Sequence, residues 1–153
     1  NLQVKPNAIL ILKKLFYKKI RRKQFLIGRE PQILQGYADL LKEILSSGNY
    51  DLIFSIDSIL VSYLKTTLPI IFWVDATVAG MTDFYSGFMN LSKESIKKGN
   101  SQEQAALSNC SVAVYASDWA AQTALENYHV DPKKVKVLPR GANITYKGDR
   151  RDL

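Results

Sequence analysis

The chain has 153 residues, 46% hydrophobic and 23% charged, with a formal net charge of +7, one Cys and one His. That length suits one globular domain, and the composition excludes a disordered or collagen-like chain. A lone Cys closes no internal disulfide, a lone His gives zinc no ligand set, and no apolar run approaches the roughly 20 residues that span a bilayer.

The charge lies at one end. Residues 1–24 hold Lys5, Lys13, Lys14, Lys18, Lys19, Arg21, Arg22 and Lys23 with no acid, while the other 129 residues carry 13 basic and 14 acidic groups. A duplex-binding domain needs a distributed basic face, which the body lacks, so nucleic acid is not an expected partner. Within this segment residues 8–24 read as a helix: Ile9, Leu12, Phe16 and Ile20 recur at helical spacing, Ala8 and Leu15 widen the stripe, and Pro6-Asn7 marks a start. Two readings compete. The stripe packs on a core and leaves a solvated basic back, or the helix lies on an anionic membrane surface, where each Lys or Arg contributes ~1 kcal/mol.

A second helix is expected over residues 31–47, with Pro31 in its first turn, a stripe of Ile33, Leu34, Tyr37, Leu40, Leu41, Ile44 and Leu45, and Gly48-Asn49 as its stop. The pattern then changes. Leu52-Ile53-Phe54-Ser55, Pro69-Ile70-Ile71-Phe72-Trp73-Val74, Val112-Ala113-Val114-Tyr115 and Val135-Lys136-Val137-Leu138 read as strands. The first three are apolar on both faces, as strands buried in a parallel sheet are. Helical stretches over residues 58–65, 101–109 and 118–128 separate them, the last with Trp119, Ala120, Thr123, Ala124 and Tyr128 turned inward. The stretch from Thr77 to Asn100 is too rich in glycine for one clean helix and too apolar for a free loop; it reads as a pocket-forming insertion or as plain cover for the sheet. Strand alternating with helix predicts an α/β fold with a parallel, Rossmann-like sheet flanked by helices.

Open α/β sheets bind ligands outside the carboxyl ends of their strands. Here those ends carry Asp57 and Ser58, Asp75 and Thr77, Ser117 and Asp118, and Arg140 and Gly141. Each has a bland alternative. Asp75 suits a side-chain-capped turn, and Asp57, Ser58, Ser117 and Asp118 suit helix starts. Cys110 reads as an inert core thiol and His129 as a surface turn residue.

From Leu107 onward the order of features becomes specific. The stretch "AALSNCSVAVYASDWAAQTALENYHVDPKKVKVLPRGANI" gives a helix end, a strand, a Ser-Asp-Trp helix start, a Tyr-x-Val-Asp-Pro-x-Lys-Val turn, a strand and Pro-x-Gly-Ala-Asn. It resembles the last part of the amino-terminal domain of family 4 (group 1) glycosyltransferases of the GT-B fold. Upstream, "PIIFWVDATVAGMTDFYSGFMNLS" is similar to the Asp-Ala-Thr loop of a bacterial branch of that family. The resemblance spans residues 50–144.

The resemblance implies two Rossmann-like domains facing across a cleft, with the acceptor held on the amino-terminal side and the nucleotide-sugar donor on the other. It implies retention of anomeric configuration, no divalent metal and no cofactor, and a cytoplasmic protein, peripheral to the inner membrane face where residues 8–24 engage it. The partners are then a nucleotide-sugar, bound through a second domain, and a hydroxyl acceptor that is a sugar, a lipid-linked group or a small molecule. On this reading residues 1–30 are a basic helical segment, 31–144 the acceptor-side unit and 145–153 the start of a linker. With Asn1 first and no donor-side elements, the sequence reads as a fragment inactive by itself. Asp75 stands where many family members carry a cleft His and is the catalytic candidate; Asp57, Ser58, Thr77, Ser117, Arg140 and Gly141 are the substrate-binding candidates. The rival is a non-enzymatic α/β ligand-binding domain, or a membrane-surface module built on residues 8–24.

Overall fold

β-branched and aromatic residues favour a pleated, half-buried surface, and the four such runs of this chain pair into one sheet. In the computed structural model, which describes residues 3–141, β1 (Ile53–Ser55), β2 (Ile70–Val74), β3 (Val112–Tyr115) and β4 (Val135–Val137) lie in the order β1-β2-β3-β4. All three pairings are parallel: Phe54 sits opposite Ile71, Trp73 opposite Val114, and Tyr115 opposite Val137. The fold is α/β and Rossmann-like.

The connections carry the helices. α1 (Ala8–Lys19) and α2 (Pro31–Ser46) precede the sheet, α3 (Ser58–Val61) joins β1 to β2, α4 (Val78–Met81) and α5 (Lys93–Asn109) join β2 to β3, and α6 (Asp118–Asn127) joins β3 to β4. Each crossover steps one strand in the same direction, so crossovers of one hand bring their helices to one face. The core forms there. Ile70, Phe72 and Val74 of β2 and Ala113 and Tyr115 of β3 are buried with Val61, Leu64, Ala106, Leu107, Ala120 and Ala124. Phe72 and Tyr115 are fully enclosed, with ring centroids 6.3 Å apart at 88°, and each such burial contributes about 1.5–3 kcal/mol.

The opposite face differs from the sequence expectation. Phe54 is 56% exposed, and Ile71, Trp73, Val112 and Val114 are only half-buried. Apolarity on both sides of a strand marks a sheet that can be buried twice; here the described helices cover one side.

Asn7 starts α1, its Oδ1 accepting the Leu10 N–H at 2.9 Å. Docking of α1 is narrow. Only Leu10 is buried, while Tyr17 stacks on Phe25 with centroids 5.0 Å apart, and the Tyr17 hydroxyl donates to Glu94 at 2.9 Å. Lys13 and Lys98 also bond Glu94. The expected stripe points the other way: Ile9, Leu12, Phe16 and Ile20 are 72%, 65%, 43% and 70% exposed. The helix also stops at Lys19, where residues up to 24 were expected to continue it.

The insertion resolves into α4, a turn at Ser86–Phe88 and the first two turns of α5. Ser92 opens α5 by accepting the Ser95 N–H at 3.1 Å. A Cβ at Gly99 would lie 2.8 Å from Val78, so only glycine lets α4 and α5 approach so closely. In α6, Ala120, Ala121 and Ala124 face inward as a small-residue surface, joined by the ring of the following Tyr128, whereas Trp119, also expected inside, is 42% exposed and rests beside Phe84 at 5.4 Å.

Candidate functional site

Parallel strands end on a shared edge, and each helix that follows needs its first amides capped. Three sequence-predicted site residues meet that need. Asp57 accepts from the Ile59 N–H at 2.8 Å at the start of α3, Thr77 from Gly80 at 3.0 Å at α4, and Ser117 from Ala120 at 3.2 Å at α6. Thr77 is also fully buried, its hydroxyl 2.9 Å from that of Thr123. Ser58 is buried too and donates to Glu103 at 3.1 Å. Neither Thr77 nor Ser58 reaches the open rim.

Asp75 and Arg140 do reach it, and they meet. Side chains alternate along a strand, so Asp75, two residues past Trp73, continues on the uncovered side. The segment after β4 folds back across the tip of β3 to the same place. There the Trp73 indole N–H donates to the Leu138 carbonyl at 3.0 Å. Arg140 places Nε 3.0 Å from Asp75 Oδ1, donates through Nη2 to the Trp73 carbonyl at 3.3 Å, and holds its guanidinium 5.3 Å from the indole centroid. Gly141 follows in open space. The side chains of Asp75 and Arg140 are 65% and 45% exposed. An ion pair so screened contributes about 0–1 kcal/mol, so a ligand hydroxyl competes for either partner at little cost. The rim thus offers a carboxylate acceptor, a planar fork of donors and an indole edge within one reach.

Comparison of the chain with protein-family models, curated proteins and solved structures gives no match.

Behind the rim lies a buried polar cluster that the sequence reading did not identify. Arg29 donates to Gln102, sits 3.8 Å from the Glu103 carboxylate, and is itself 8% exposed. Gln102 in turn donates to the Ser58 hydroxyl at 3.2 Å. Burial pushes the Glu103 carboxyl up to about 7, against the opposing pull of Arg29 and the Ser58 hydrogen bond. Burial likewise lowers the Arg29 value, with Glu103 opposing. Among the described residues, Glu103 Oε1 and the Tyr115 hydroxyl are buried without a hydrogen-bond partner. Helical spacing held the signal: Gln102 and Glu103 share the buried arc of α5 with Gly99, Ala106 and Leu107.

Proposed function

We propose that this chain is the acceptor-side unit of a retaining glycosyltransferase, one that moves a sugar from a nucleotide-sugar to a hydroxyl acceptor. The observation that carries the reading is the exposed Asp75–Arg140 pair at the carboxyl rim of an all-parallel sheet. The sequence resemblance in residues 50–144 supplies the reaction class.

In this reading Asp75 accepts a hydrogen bond from the acceptor hydroxyl and turns its oxygen lone pair towards the anomeric carbon of the donor. Arg140 donates to a neighbouring hydroxyl and fixes the ring's orientation. The new glycosidic bond forms as the anomeric carbon–diphosphate bond breaks, and the hydroxyl proton leaves with the diphosphate. Stabilising the departing diphosphate needs concentrated positive charge, and the rim itself has Arg140 alone among the described residues of the four strand tips. The donor is thus held by a second unit facing this rim.

Calorimetric titration tests that division of labour. UDP-glucose and GDP-mannose should give no micromolar binding to the isolated chain. Micromolar affinity for either would contradict the reading.

A further inference from the structure

The amino-terminal helix presents the wrong face to water for a helix whose only role is packing. At about 100° per residue, Ile9, Ile11, Leu12, Leu15, Phe16 and Ile20 fall within one half of the circumference. All six are exposed, from 43% at Phe16 to 72% at Ile9. Leu10 and Tyr17, which do contact the body, lie on the other half.

Lys14 and Lys18 border this apolar half, Lys19 interrupts it near its middle, and Arg21 and Arg22 follow the helix end. All five are exposed, and among the described residues none has a carboxylate within ion-pair distance. Lys14, Lys18 and Lys23 line a cleft of about 400 Å³ beside Phe25, open to a group with the charge and size of a phosphate. Glu94, the acid nearest the helix, is already engaged by Lys13, Lys98 and Tyr17. An outward apolar half bordered by unneutralised cations fits a surface that is apolar below and anionic above.

We propose that α1 docks this protein on an anionic lipid bilayer, with Ile9, Leu12, Phe16 and Ile20 inserted between acyl chains and Lys14, Lys18 and Arg22 on the lipid phosphates. The helix lies flat. Its 12 residues extend about 18 Å, against a hydrocarbon core of about 30 Å. Such helices settle about 5–10 Å into the headgroup boundary. The turn that ends α1 is clasped to the insertion, where Asn90 Nδ2 donates to the Arg22 carbonyl at 2.8 Å and Gln24 to that of Ser86 at 3.3 Å. Docking therefore fixes the insertion's height above the membrane. The inference stands on α1 alone and is independent of the proposed transfer reaction.

Co-sedimentation with vesicles tests it. The chain should pellet with vesicles of equal parts phosphatidylcholine and phosphatidylglycerol, remain in solution with pure phosphatidylcholine, and be released as salt shortens the screening length. Changing Lys14, Lys18 and Arg22 to Gln should weaken binding about fivefold per charge, on the order of a hundredfold together. The double variant Leu12→Ser, Phe16→Ser should lose binding while keeping its circular dichroism and thermal midpoint, since both side chains are exposed. Equal binding to both compositions would overturn the proposal, as would unchanged binding by the Ser variant. So would a chain that ignores vesicles and forms a dimer that Leu12→Ser dissolves, because the face would then be covered by a second copy.

Discussion

Glu94 is where α1 is fastened, so Glu94→Gln should loosen that helix and little else. Burial pushes the Glu94 carboxyl up, but hydrogen bonds from Lys13, Lys98 and Tyr17 outweigh it and hold the group at about 2, below the ordinary 4.5. A depressed folded value stabilises the fold at pH values above the unfolded one, and the contribution disappears as pH falls through the folded one. The full difference corresponds to about 3 kcal/mol. The side chain is 28% exposed, so solvent screening reduces the expected effect to about 1–2 kcal/mol. The assay is urea unfolding of both proteins across pH, with amide exchange of residues 8–19 as the local probe. The difference in stability should be level from neutral pH down to about pH 5 and more than halved near pH 3. Exchange of α1 should accelerate while β2 and β3 stay protected. A difference that persists undiminished in acid, or that appears in the strands as much as in α1, would refute the reasoning.

Other consequences follow from single side chains. Tyr115→Phe removes a hydroxyl that has no partner in a closed core, so denaturant unfolding should show unchanged or higher stability, by up to about 1 kcal/mol; a loss of more than that would mean the hydroxyl is bonded in solution. Burial pushes the Cys110 thiol up to about 11, with Lys134 opposing. Thiolate is the reactive form, so a chromogenic disulfide should label Cys110 only after unfolding, and rapid labelling of the native chain would contradict its placement. Arg140→Ala should cost less than about 1 kcal/mol because its ion pair is exposed, which a thermal melt checks and which makes the variant usable for function.

The strands were legible because each is a short apolar run with its own turn signals, and β3 begins and ends where the pattern places it. Parallel pairing followed from the alternation of strand and helix. What α1 packs against was not legible. A helical period shows that a stripe exists, but Ile9, Leu12, Phe16 and Ile20 look the same whether they meet a core or water. The cue lay in the basic flanks, which a helix buried on its apolar side does not need. The opening turns of α5 were read as insertion because Thr77 to Asn100 reads as one stretch, too rich in glycine for a single clean helix; the Ser92 cap with Glu94 in the first turn was the overlooked signal. At the rim, strand-tip position picked out Asp75 and Arg140 together. It did not separate them from Ser58 and Thr77, because position along the chain says which residues reach an edge and not which way their side chains turn.

The proposed role of Asp75 is to meet an acceptor hydroxyl. The direct measurement is release of nucleoside diphosphate from UDP-glucose, UDP-N-acetylglucosamine or GDP-mannose by the gene product that carries this chain, with and without hydroxyl acceptors. We expect release from one donor that depends on acceptor, and a loss of up to about 10²-fold in Asp75→Asn with the fold unchanged, the size expected of a lost orienting contact. Full activity in Asp75→Asn, or no release from any nucleotide-sugar, would contradict it.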